Sequence, residues 1–383
     1  MTRGSSVIGT DAAGAVRGLA GRWVSLLGDG DFVVSPVGLW LALAAVASGA
    51  RGRTAEELAG LLRVEGAAAA EAVTGASRAW GADGGVTVAT GVWSTLPIRE
   101  AFERGLPDVR FGQLPGDSRQ ASAQEELDAW VRGTSGGLVR ELPLGLDGSE
   151  DLVLLSVLAL RARWRVAFAP ELTRDAPFTD GDGVTRGVPT MRQRIPARWA
   201  WTVAGATVVE LPCAGEGSVR VRFVLGADGE GPADVLPAAW APAAAREALR
   251  ADAAELALPR FALRTKTDAH AHLESLGVRM ALRPDADFSG ISAVATYVAR
   301  VLQEAVVEVG EEGVEAAAVT QVVMTRSAAA PRPRVVERIA FDRPFGVVVV
   351  DGTGGVPLFV GWRRGTPSDR DEGLSGRSGS DRP

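Results

Sequence analysis

The chain has 383 residues, 46% hydrophobic and 23% charged, a balance that excludes a wholly disordered, collagen-like or disulfide-stapled molecule. Its formal net charge of −6 lacks the basic excess that phosphate binding draws on, so nucleic acid is not an expected partner. The single cysteine, Cys213, cannot close an internal disulfide, and two histidines with no cysteine beside them leave no metal site legible; no cofactor is expected.

Met1 to Asp31 contains Arg3, Arg17 and Arg22 and no unbroken apolar block ahead of a small-residue cleavage site, so no signal peptide is expected. The longest apolar run, Leu39 to Ala47, is far short of the roughly 20 residues that cross a bilayer. These features imply no membrane partner and a location that is cytoplasmic, or reached by an export route the sequence does not display.

Ser35-Pro36 supplies an N-cap hydroxyl and a first-turn proline, and opens a helix over Val37 to Ala47. Thr54-Ala-Glu-Glu57 has the spacing of a capping box, followed by Leu58, Leu61 and Leu62 on one helical face. A third helix is predicted from about Ala121 to Arg132, with Leu127, Trp130 and Val131 as its apolar stripe. Leu152–Leu160, Thr207–Leu211, Val219–Leu225, Val301–Val309 and Phe345–Val350 are short Val- and Leu-rich runs bounded by Gly, Pro or Asp, and read as strands. Helices first and strands later predict an α+β protein in one domain, 1–365, built on large sheets. Thr366 to Pro383 has almost no apolar residues, cannot repay the entropy of ordering, and reads as a disordered tail.

Little in the chain points to catalysis. His270 and His272 precede an amphipathic stretch, Leu273 to Met280, and no nucleophile elbow, Walker loop or dinucleotide fingerprint appears. The informative segment is Val307 to Pro333. A strand ending at Val309 meets Gly310 and Gly313, where the lack of a Cβ allows a turn or hinge. Beyond it Val314, Ala316, Ala318, Thr320, Val322 and Met324 occupy every second place, while Glu315, Gln321 and Thr325 take the alternate set, as a strand requires. The alanines of Glu311 to Val323 equally suit a short helix, and the two forms can belong to different states. Arg326-Ser327, three further alanines, Pro331 and Pro333 then suggest an exposed, protease-accessible crossing.

These residues resemble the serpins, inhibitors of serine and sometimes cysteine proteases. Glu311-Glu-Gly313-Val-Glu315-Ala316-Ala317-Ala318-Val-Thr320 is similar to the serpin hinge. Phe341-Asp-Arg-Pro-Phe345 with Pro357-Leu-Phe-Val-Gly361 is similar to the family's C-terminal strands, at the right distance beyond the loop. Phe32 to Pro36, Gly49 to Glu56, Trp130-Val131 with Thr134 to Gly136, Arg161 to Trp164 with Phe168, and Glu210 to Pro212 match further family positions, so the resemblance spans about Ala13 to Pro367.

The resemblance implies a serpin-like α+β fold, helices packed on large, mainly antiparallel sheets, with an exposed reactive-centre loop at about 311–333. It also implies a mechanism. A target serine protease cleaves the loop and is held as a covalent acyl-enzyme while the freed hinge enters the main sheet as an added strand. About a dozen new backbone hydrogen bonds, at about 0.5–1.5 kcal/mol net each, supply on the order of 10 kcal/mol. The slim, uncharged inward residues from Val314 to Met324 suit that insertion. Counting thirteen or fourteen residues from Gly313, as the resemblance implies, puts Arg326 or Ser327 before the scissile bond; Arg326 is favoured and implies a trypsin-like target, whereas cleavage after Met324 or Ser327 would suit chymotrypsin-, elastase- or subtilisin-type enzymes. Glu311 and Arg260 match a family ion pair that restrains opening, and Trp164 matches the aromatic residue beneath it.

The gate of the sheet departs from the pattern. Gly38, Ser156 and Gln303 stand where serpins commonly have serine, asparagine and histidine, and Gln303 is expected to bond Ser35 or Ser156. The chain is thus expected to be a monomeric suicide inhibitor rather than an enzyme, with loop–sheet polymers as its failure mode. Three other readings are a non-inhibitory binding or chaperone serpin, an inhibitor of a cysteine-type protease, and a hydrolase pairing a serine with His270 or His272. Arginine and alanine abundance suggests a GC-rich bacterial source.

Overall fold

Six helices fill most of the first third: α1 (Thr10–Val24), α2 (Pro36–Ala47), α3 (Gly52–Leu62), α4 (Gly66–Ala82), α5 (Glu100–Gly105) and α6 (Gln120–Thr134). They belong to a computed structural model that describes residues 8–82, 86–114, 120–139, 150–215, 219–314 and 335–368. Helix α2 is apolar all round and buried at every position, so it lies inside the molecule, against strands of both large sheets. Ser35 caps it as the sequence predicts, its Oγ accepting from Gly38 N at 3.0 Å.

The capping box predicted at Thr54 and Glu57 does not form. Helix α3 starts earlier, at Gly52, with Arg51 at the cap position and no side-chain cap. Thr54 Oγ1 instead accepts from Asp287 N at 2.9 Å, and Glu57 Oε1 accepts from Arg279 N and Met280 N, each at 2.8 Å. Distant backbone donors that would otherwise be orphaned outcompete the local cap. The amphipathic run from Leu273 is also shorter than predicted, because the helix His270–Leu276 stops at Gly277 with φ 99°.

All five predicted strands are present, two of them, Leu152–Leu160 and Phe345–Val350, at the predicted bounds. Three more, Phe32–Val34, Val86–Ser94 and Val109–Gln113, interrupt the helical first third, so the strict order of helices then strands does not hold.

The functional sheet contains β1 (Val86–Ser94), β2 (Val109–Gln113), β3 (Leu152–Leu160), β4 (Ala162–Arg163), β5 (Phe261–Asp268), β6 (Val298–Val309) and β7 (Gly313–Val314). Its order is β2-β1-β3-β6-β7-β4, with β5 also paired to β6. A second, all-antiparallel sheet of seven strands runs from Phe32–Val34 through Pro357–Arg363 and Phe345–Val350 to Arg220–Leu225 and beyond. A third has four strands and carries Val336–Ala340, which follows the loop, at one edge.

One core cluster runs from Ile8 to Trp362, and a smaller one lies between α6 and the functional sheet. Among the described residues no helix is long and apolar enough to cross a membrane. The segment read as tail begins with bonded residues: Thr366 Oγ1 accepts from Arg186 at 2.8 Å, and Ser368 O accepts from Ala262 N at 3.1 Å. Residues 369–383 lie outside the described residues.

Candidate functional site

The site is the seam between β3 and β6. These strands pair in parallel from Val298 beside Leu152 to Val306 beside Ala159. Beyond Val306 they part, and the two residues of β7 fill the gap: Val309 of β6 pairs with Val314, while Gly313 and Val314 pair with Arg163 and Ala162 of β4. The hinge is therefore seated at the open end of an otherwise closed seam. Gly313 is required here for space, since a Cβ would meet Ala162 O at 2.1 Å and Arg163 Cα at 2.7 Å.

Every carbonyl of the turn into β7 is occupied. Trp164 Nε1 donates to Gly310 O, Phe168 N to Glu311 O and Trp164 N to Glu312 O, each at 2.9 Å, and Gly310 N donates to Gly313 O at 3.0 Å. Trp164 is buried, packs edge-on to Phe223, and forms a β-bridge with Cys213. Burial pushes the Cys213 thiol up to about 12 against a smaller opposing effect of Arg165, so it is no nucleophile.

The Glu311 carboxylate faces Arg260 and Thr173. Arg260 Nε donates to Oε1 at 2.8 Å, its Nη2 donates to the same oxygen, and Thr173 Oγ1 donates at 2.7 Å. Burial raises the Glu311 carboxyl, but the hydrogen bonds from Arg260 and Thr173 and the guanidinium charge outweigh it, leaving the pKa below the ordinary glutamate value. The Arg260–Glu311 pair was legible in the sequence through the resemblance. Thr173 was not, for it stands 138 residues from Glu311 with nothing nearby to mark it.

Lower down the seam, Gln303 bonds Ser35 and not Ser156. Ser35 N donates to Gln303 Oε1 at 2.6 Å, Gln303 Nε2 returns to Ser35 O at 2.9 Å, and Ser35 Oγ donates to Leu358 O at 2.6 Å. This clasp joins β6 to the start of α2 and to the second sheet. Ser156 stands beside Gln303 in register and opposite Thr90 of β1, and its buried Oγ has no partner among the described residues. Gly38 leaves no room for a side chain, since a Cβ would lie 2.3 Å from Ser156 Oγ and 2.4 Å from Leu158 Cδ1.

Other sequence candidates fall away or lie elsewhere. His272 Nδ1 accepts from Trp23 Nε1 at 3.1 Å, and among the described residues no serine hydroxyl bonds either histidine. Glu315, Ala316, Ala317, Ala318, Thr320, Val322, Met324, Arg326 and Ser327 lie outside the described residues.

Residues 20–363 match the serpin (serine protease inhibitor) family. The chain is 30% identical over 385 residues to the putative serpin-Z6C of Oryza sativa subsp. japonica, across 87% of this chain and 90% of that protein. It is 29% identical over 341 residues to the leukocyte elastase inhibitor of Bos taurus, across 82% and 88%. The crystal structure of Serpin48 from the insect Tenebrio molitor superposes with a TM-score of 0.78 at 24% identity, across 93% of this chain and 98% of that one. The match in sequence and the shared architecture lead to one conclusion: the chain belongs to the serpin family.

Proposed function

We propose that this serpin is an inhibitor that traps a trypsin-like serine protease, rather than an enzyme or a passive binding protein. The observation that carries the reading is the seam: β3 and β6 are paired along most of their length, and Gly313-Val314 is already seated at its mouth. A strand can therefore enter only by parting the β3–β6 ladder from the end where Gly313 and Val314 are already paired.

In the reaction, the protease serine oxygen bonds to the Arg326 carbonyl carbon. The Arg326–Ser327 amide then breaks, and the Ser327 nitrogen leaves as an amine carrying the transferred proton. Insertion of the freed segment from Val314 onward carries the ester-linked protease away before water completes its hydrolysis. Arg326 supports a target whose specificity pocket holds a carboxylate. The bacterial source is a separate reading that rests on composition alone; the relatives named above come from a plant, a mammal and an insect.

Incubation with trypsin and denaturing electrophoresis tests the proposal. A covalent band at the summed mass is expected, and Arg326→Ala is expected to slow its formation about a hundredfold or more. Cleaved chain with no covalent band would mark an ordinary substrate and overturn the reading.

A further inference from the structure

Glu304 is a fully buried carboxylate in an apolar setting. Alternation along β6 puts it between Leu302 and Val306 on the face beneath α6. Those two residues join Leu127 and Val131 of α6, Val139, and Val153, Leu155 and Val157 of β3 in one cluster. A charge at such a place is costly unless it is paired and hydrogen-bonded.

Lys266 of β5 stands directly opposite Glu304 in register, and Arg264 of the same strand is a hydrogen-bonded partner. Arg264 stands opposite Val306 in register, one diagonal step from Glu304, and its Nη1 donates to Glu304 Oε1 at 2.8 Å. Its Nη2 donates in another direction, to Leu138 O at 3.0 Å, just beyond the end of α6. One guanidinium thus joins two bodies: the β5–β6 pair, and the segment that continues from α6.

The same segment is also held on the β3 side of the seam, where Arg161, just past β3, donates from Nη2 to Gly136 O at 2.9 Å, so the connection bridges the seam a new strand must enter. Inserting one strand between β3 and β6 displaces β6 from β3 by about 4.8 Å, and β5 travels with β6 because they are paired along the whole of β5. Apolar contacts of α6 with both sides can slide, whereas a directed hydrogen bond does not survive a stretch of that size. The Leu138 bond therefore breaks, or draws the end of α6 along.

We infer that Arg264 is a latch: it positions the end of α6 over the closed seam and sets the rate at which the loop enters. This inference rests on the proposed inhibitory reading and concerns the speed of insertion. A restrained seam keeps the intact molecule from inserting its own loop, and a slower entry gives water more time to release the protease.

Two variants test it. Arg264→Lys keeps a charge for Glu304, but a single ammonium on a flexible stem lacks the fork that holds both acceptors. R264M/E304L removes latch and charge together and leaves no buried charge unpaired. Three readings are taken for each variant and the parent. These are spontaneous conversion of intact protein to a trypsin-resistant, loop-inserted form, molecules consumed per trypsin trapped, and melting temperature after loop cleavage.

Both variants are expected to convert about tenfold faster or more, to consume fewer molecules per trypsin, and to melt like the parent once cleaved. Arg264→Lys converting at the parental rate would overturn the latch. So would equal destabilisation of intact and cleaved forms, the mark of a merely structural pair. The parent separates the two failures: no stabilisation on cleavage contradicts the proposed function, whereas a parent that traps trypsin beside an unaltered Arg264→Lys variant contradicts the latch alone.

Discussion

Glu311 holds the hinge by its side chain and its carbonyl at once, the first to Arg260 and Thr173 and the second to Phe168 N. Its folded pKa is depressed, so the stabilisation it provides is fully present above the ordinary value of 4.5 and is lost as pH falls through the lower folded value. Loop insertion is therefore expected to accelerate in a distinct acid step below pH 4.5, read by loop resistance to protease after pH jumps. Glu311→Gln should lack the step and lower native stability by about 1–2 kcal/mol, a modest figure because Arg260 is partly exposed to solvent. At this scale, legibility followed locality and precedent. Glu311, Gly313 and Arg260 could be picked out because their neighbours form recognisable runs, whereas Arg264 and Leu138 meet only after the fold brings a strand under the end of α6.

Between elements, the clasp of Gln303 on Ser35 is what holds β6 to the start of α2, and Gly38 is what lets the helix approach so closely. Gly38→Ala is expected to cost about 1–3 kcal/mol by overpacking, seen as a lower denaturant midpoint. Ser156→Gly in the same chain should recover part of the loss by removing the atom that Cβ would strike. The departure of Gly38 from the family pattern was visible in the sequence, but its reason was not, since the obstruction comes from β3. The same limit governs α3, where the Thr54 and Glu57 spacing promised a cap and the side chains went to backbone donors far along the chain. Strand β1 was missed because its burial does not alternate in the way that marks a half-buried strand.

Taken whole, the molecule holds Gly313 and Val314, the start of the hinge strand, at the mouth of a seam that the ladder between β3 and β6 keeps closed. The fold class was legible because apolar runs, turn residues and the hinge occur in the family's order. The energetic relation between the two sheet states depends on pairings over long sequence distances that periodicity does not report. One comparison measures that relation: the melting temperature of the intact chain against that of the chain cleaved after Met324, Arg326 or Ser327. A large rise on cleavage is predicted, with the two pieces still associated. An unchanged or lower melting temperature would mean that loop insertion releases no free energy and that the intact chain is not metastable.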